Sequence, residues 1–140
     1  MQNHLPRPLY LVSACLVGLC TRYDKNIRSN DSCIKVLQEA TWIPICPEQL
    51  GGLPTPREAA DIQGGDGDDV LLGNARVITK SGADVSRAFI NGAYQVLAIA
   101  RSQAIEAVLL KARSPSCGIS GRTGVTAALL RLHGFRLREF

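Results

Sequence analysis

The sequence predicts an α/β fold: a single three-layer, Rossmann-like domain over residues 1–140, with a mainly parallel sheet and a small β-hairpin. Three observations lead there. Short apolar, β-prone runs recur at Leu9–Ser13, Trp42–Ile45 and Ala107–Lys111, as expected for strands buried on both faces. A long amphipathic segment precedes the last of these runs. The length of 140 residues suits one domain.

The elements follow in order. The first strand ends near Ser13 and gives way to a polar loop, Gly18 to Asn30. Asn30 or Asp31 can cap a helix whose apolar residues Cys33, Val36, Leu37 and Ala40 recur at helical spacing. Trp42–Ile45 is the second strand. Cys46–Pro56 carries three prolines and the adjacent Gly51 and Gly52, and reads as an ordered loop, neither helix nor central strand. Gln63–Asp69 is the most acidic and flexible stretch, but it lacks the Glu and the length of a calcium loop. Val70–Leu72 and Ala75–Thr79, parted by Gly73-Asn74, read as the hairpin. After a turn at Lys80–Ala83, Asp84 can cap the best helix, Val85–Arg101. Alanine and glycine on its apolar stripe (Ala88, Gly92, Ala93) suggest close packing on a sheet. Ala107–Lys111 is the third strand. A loop rich in Ser, Pro and Gly runs to Gly124. The last helix, Val125 to about Leu132, ends at His133-Gly134, and Phe135–Leu137 forms a short final strand.

Composition narrows the function. Apolar residues make up 46% and charged residues 20%, too apolar for disorder. The net charge is +4 and the pI about 9.0. The basic residues are scattered, the nearest cluster being Arg131, Arg136 and Arg138, and few aromatics are present to stack on bases, so no nucleic-acid partner is expected. No apolar run approaches the roughly 20 residues of a membrane span, so no membrane partner is expected either. Met1 to Pro8 lacks a basic region followed by an apolar one, unlike a signal peptide. A cytoplasmic, reducing location is the expectation, and five cysteines there need a reason other than disulfides.

Three of the five supply one. Cys15 and Cys46 close apolar runs and Cys117 follows the third. In a parallel sheet the strands' carboxyl ends line one crevice, where ligands bind, so three thiols from separate loops would converge. The gaps between successive cysteines, 5, 13, 13 and 71 residues, fit neither a zinc ribbon, a thioredoxin motif nor a compact ferredoxin run. A small buried hydrophobe is the plainer reading of each free cysteine.

The flanking residues weigh on the other side. Cys46-Pro47-Glu48 sets a carboxylate beside a thiol in a stiff loop, where Glu48 could move protons; pairing with Arg57 is the plainer alternative. Ser114-Pro115-Ser116-Cys117-Gly118 puts two hydroxyls and a thiol in one turn, with Lys111 and Arg113 placed to stabilise thiolates; a simple Ser/Pro turn is the alternative. Cys33 belongs to a helix stripe and reads as core, Cys20 is undecided, and His4 and His133 read as structural. Tyr23 and Asp24 read equally well as turn residues.

Taken together, several blocks are similar to one bacterial family, long filed as a domain of unknown function, whose characterised members are thiouracil desulfidases. The blocks are Val12-Ser13-Ala14-Cys15-Leu16-Val17-Gly18, Arg22-Tyr23-Asp24, Cys46 through Arg57, Lys111 through Gly118, and Gly124 through Leu130, and the likeness spans nearly the whole chain. The resemblance implies a [4Fe-4S] cluster held by only three cysteines, here Cys15, Cys46 and Cys117. It also implies Glu48 and Ser114 as catalytic residues and a small thio-compound, such as a thiopyrimidine, as substrate. Its implied chemistry is non-redox: C=S becomes C=O and sulfide is released. Soft sulfur suits an iron left open as a Lewis acid. Only Ile119–Thr123 stands where related chains carry a longer Gly- and aromatic-rich stretch expected to border the crevice, so a more open pocket is expected. Two other functions fit the cysteines: a non-catalytic iron–sulfur or zinc protein that senses redox state, and a metal-free transferase with Cys117 as nucleophile.

Overall fold

In the computed structural model, which describes residues 6–140, the chain runs β1 (Leu9–Ser13), a 3-10 turn (Ala14–Val17), α1 (Asp31–Leu37), β2 (Thr41–Ile45), α2 (Pro47–Leu50), β3 (Ala60–Gln63), α3 (Gly67–Leu72), β4 (Arg76–Thr79), α4 (Ser86–Ser102), β5 (Ala107–Leu110), α5 (Val125–Leu132) and β6 (Leu137–Glu139). His4 lies outside the described residues. The main sheet has the order β2-β1-β5-β6 and is parallel throughout, with Leu9–Ser13 in register with Thr41–Ile45 on one side and Tyr10–Val12 with Ala107–Leu109 on the other. β3 and β4 form a separate antiparallel pair. Among the described residues no helix is long and apolar enough to cross a membrane.

Strand pleating divides the core in two. Leu11, Val108 and Leu110 face α4 and α5, meeting Phe89, Val96 and Leu129. Val12, Ala107 and Leu109 face the other way, onto Leu16, Cys33 and Leu37. Helices therefore cover both faces, giving the expected three layers and explaining why β5, Ala-Val-Leu-Leu, is apolar at every position. α1 is capped by Asn30, whose side chain accepts from the Cys33 N–H at 2.9 Å. β2 tolerates Pro44 because it lies at the sheet's edge.

Several sequence expectations change. Val70–Leu72 is the end of α3, and the strand that pairs with β4 is β3. The acidic, glycine-rich stretch before it is a capping box: Asp66 accepts from the N–H groups of Asp68 and Asp69, and the Asp69 carboxylate accepts from the Asp66 N–H at 3.0 Å. Cys46–Pro56 does contain a helical turn, α2, because Pro47 occupies the first helical position, where its missing N–H costs nothing. The final strand begins two residues later than expected, at Leu137.

Gly92 of α4 packs on α2 rather than on the sheet. A Cβ added at Gly92 would stand 1.9 Å from the Pro47 carbonyl oxygen, and one at Gly51 would stand 2.0 Å from that of Ala88. The two helices cross backbone against backbone, which fixes the segment carrying Cys46 and Glu48. Gly92→Ala must push α2 away and is expected to cost about 2–3 kcal/mol. Gly73→Ala meets open space at φ +83°, so only the left-handed conformation costs, about 1 kcal/mol. Urea midpoints check the order; equal midpoints for Gly92→Ala and the unmutated chain would disprove the contact.

Candidate active site

β1 is central, and the chain leaves it for β2 on one side and β5 on the other. Such a reversal of strand order opens a crevice at the carboxyl ends of parallel strands. Cys15 stands there in the 3-10 turn directly after β1, a turn closed by Gly18 at φ 86°. Cys46 follows β2 and heads α2. Cys117 is brought back by a tight turn after β5, in which the Ser114 hydroxyl accepts from the N–H groups of Ser116 and Cys117 at 3.2 and 3.1 Å. The first amides of α5 hold this turn from behind: Val125 donates to the Pro115 carbonyl at 2.9 Å and Thr126 to that of Ser116 at 2.8 Å. Gly124 permits this approach, since a Cβ there would lie 2.4 Å from the Ser116 carbonyl carbon.

All three thiols, with Glu48 and Ser114, line one cavity of about 340 Å³. No disulfide engages them. Burial pushes all three thiols up, Cys117 to about 12. Opposing forces surround each one. Lys111 and Arg22 favour the thiolate of Cys15, the α2 amides and Arg57 that of Cys46, and the Ser13 hydroxyl that of Cys117. Cys15 and Cys46 repel one another as anions, as do Cys117 and Cys15, so the three stand within electrostatic reach. Three soft donors around one cavity, each with groups ready to stabilise its anion, fit an iron–sulfur cluster. Among the described residues no three His, Cys, Asp or Glu side chains are gathered to hold a single metal ion. A cluster is several atoms wider than an ion and takes its thiolates further apart.

Glu48 is held at both oxygens. Arg57 Nε donates to Oε1 at 3.0 Å, and the Ser116 hydroxyl donates to Oε2 at 3.1 Å. The plainer reading of Glu48, an ion pair with Arg57, is therefore present without removing Glu48 from the cavity. Arg57 reaches further, donating to the carbonyls of Pro54 and Thr21 and to the Thr55 hydroxyl, while its backbone N–H donates to the Tyr23 carbonyl. It thus ties the polar loop after Gly18 across the crevice. Tyr23 joins the cavity lining, whereas Asp24, held down to about 2 by Arg22 and the Asn26 amide, makes the local contacts of a turn residue.

The other candidates separate from the site. Cys33 is fully buried in the second core. Cys20 is exposed and its thiol donates to the Lys25 carbonyl at 3.5 Å. His133 caps α5, with Nδ1 at 2.7 Å from the Arg101 guanidinium. Arg113, exposed at the rim, is not the charge that faces the thiols; Lys111, Arg22 and Arg57 are. Ile119–Thr123 lines none of the cavity. Glu139 accepts from the N–H groups of Ile119 and Ser120, and the Gly67 N–H donates to the Thr123 carbonyl. Three participants escaped the sequence reading: Ser13, which accepts from the Lys111 N–H at 3.0 Å beneath Cys117; the Thr21 carbonyl; and Ser116 as a bridge. The signal for Ser13 was its place at the very end of β1.

An open parallel sheet with a thiol-lined crevice at its switch point defines an α/β protein built around a sulfur-rich site. The chain belongs to the 2-thiouracil desulfurase family, whose model matches residues 10–139. It is 43% identical to the uncharacterized protein YbbK of Bacillus subtilis (strain 168), over 92% of this chain and 93% of YbbK. Its fold is similar to that of the [4Fe-4S]-dependent thiouracil desulfidase TudS, with a TM-score of 0.78 and 35% identity over 95% of this chain and 91% of that one.

Because only the thiolate reacts, burial sets the order of alkylation. In cluster-free protein at pH 8, iodoacetamide is expected to modify exposed Cys20 first. Cys33 and Cys117, pushed up by burial to about 11 and about 12, should lag by at least about a hundredfold. Peptide mass mapping over time checks this; early labelling of Cys117 contradicts its burial.

Proposed function

We propose that this protein is a [4Fe-4S]-dependent desulfidase that converts the C=S group of a thiopyrimidine to C=O and releases sulfide without net redox change. The supporting observation is that three free thiols and the Glu48–Ser116–Ser114 hydrogen-bonded group share one cavity in a chain of the 2-thiouracil desulfurase family. Cys15, Cys46 and Cys117 are the proposed ligands, Glu48 and Ser114 the proposed catalytic residues. When bound by three cysteines, such a cluster supplies an iron without a protein ligand, a Lewis acid for the soft sulfur of a thiocarbonyl.

The chain's own residues do the rest. Arg57 holds the Glu48 carboxylate by Oε1 and leaves Oε2 turned to the hydroxyls. Glu48 is then the group that takes a proton from attacking water and returns one to departing sulfur, with the Ser114 hydroxyl presented at the cavity. Tyr23, on the loop clamped by Arg57, forms part of the cavity wall. The substrate is a small molecule rather than a nucleic acid, and a cytoplasmic, reducing location suits an oxygen-sensitive centre. The Cys-transferase alternative fares worse: burial lifts Cys117 in the direction that suppresses a nucleophilic thiolate.

Anaerobically reconstituted protein tests this reading by its iron and sulfide content and by sulfide release from 2-thiouracil. Replacing Cys15, Cys46 or Cys117 by Ser should abolish iron retention. Cys20→Ser should keep the iron, and so should Cys33→Ala at a packing cost of ~1 kcal/mol. Iron loss in either spare-thiol variant as complete as in Cys117→Ser would overturn the ligand set.

Glu48→Gln should retain the cluster's absorbance while sulfide release per iron falls by about 10² or more. Ser114→Ala should show the same fall. Full activity per iron in both variants removes them from the mechanism.

A further inference from the structure

We infer that Ser116 is a positioning residue that joins Ser114 to Glu48 and holds the Oε2 carboxylate oxygen in place for proton transfer. The inference rests on the desulfidase reading and adds to it a residue that acts through Glu48. Ser116 is 1% exposed and belongs to the turn that carries Cys117.

Hydrogen-bond capacity fixes which hydroxyl donates to which. The Ser114 oxygen accepts from two backbone amides, those of Ser116 and Cys117, which occupies both lone pairs. Its own proton must be given, and the Ser116 oxygen lies 3.0 Å away. Ser116 has one proton and two acceptors within range, Glu48 Oε2 at 3.1 Å and Cys117 Sγ at 3.7 Å. A carboxylate oxygen is both the nearer and the stronger acceptor. At the far end Arg57, a donor that cannot be deprotonated, occupies Oε1, so Oε2 is the oxygen left to exchange protons. The donor order is therefore Ser114 to Ser116 to Glu48.

The proton balance closes. The proton leaving the attacking water passes to Glu48 Oε2, which keeps a lone pair free beside the Ser116 hydrogen bond. Glu48 then returns it to the departing sulfur. Ser116 ends each cycle unchanged, and no proton is consumed beyond those of the water that converts C=S to C=O.

Neutron diffraction from deuterium-exchanged, iron-loaded protein reads the order without turnover. The Ser114 deuteron is expected to point at Ser116 Oγ and the Ser116 deuteron at Glu48 Oε2. In kinetics with 2-thiouracil, Ser116→Ala should lower kcat by about 10² with KM and iron per chain unchanged, and Ser116→Thr, which keeps the hydroxyl, should recover most of the loss. Groups acting as a unit are not additive, so Glu48→Gln with Ser116→Ala should be no slower than Glu48→Gln alone. A Ser116 deuteron on Cys117 Sγ, multiplied losses in the double variant, or a fall in kcat matching lost iron would each overturn the inference. If unmutated, iron-loaded protein releases no sulfide, the desulfidase reading fails instead, and the neutron map still decides the order of the hydroxyls.

Discussion

Backbone touching backbone at Gly51, Gly92 and Gly124 is the constraint on which the site depends. At each of these positions a side chain of any size would collide with a carbonyl group. The first two press α2 onto α4, and the third presses the turn of Cys117 onto the start of α5. Both helices are in turn fixed by the apolar face they share with β1 and β5. The crevice thus inherits its rigidity from the core, through contacts that leave no slack. Loops rich in proline and serine hold the crevice in shape here because helices brace them from behind.

Electrostatics add a tension to this frame. Burial opposes charge on each of the three crevice thiols, while Lys111, Arg22, Arg57 and the Ser13 hydroxyl favour it. Without a cationic centre, burial wins and the sulfurs stay protonated. With one, the same low dielectric that resisted the charges strengthens their attraction to it. The arrangement is poor for a free nucleophile and good for a ligand set.

Much of this was legible in the sequence. The three-layer α/β fold, the long helix α4 and the meeting of Cys15, Cys46 and Cys117 at one cavity follow from apolar runs and from where those runs end. What was not legible has specific causes. Val70–Leu72 carries β-prone residues beside Gly-Asn, yet a capping box formed by Asp66 and Asp69, visible only as an acidic run, makes it helical. Pro47 reads as a helix breaker until its position as the first helical residue is known. Gly92 lies on a stripe that periodicity assigns to a sheet, because spacing along one helix cannot tell which partner it meets. In the site, Glu48 and Ser116 are 68 positions apart, and no local pattern predicts their 3.1 Å hydrogen bond.

The reach of Arg57 bears on which changes the chain can absorb over generations. One planar fork serves a carboxylate, two carbonyls and a hydroxyl in different directions. A lysine ammonium carries the same charge but gathers its donors at a single point, so it can satisfy the carboxylate or the polar loop but not both. Drift at this position is therefore blocked in both directions. A neutral residue abandons the carboxylate, and the one other permanently cationic side chain abandons the loop. Charge alone makes position 57 look exchangeable, and shape makes it irreplaceable.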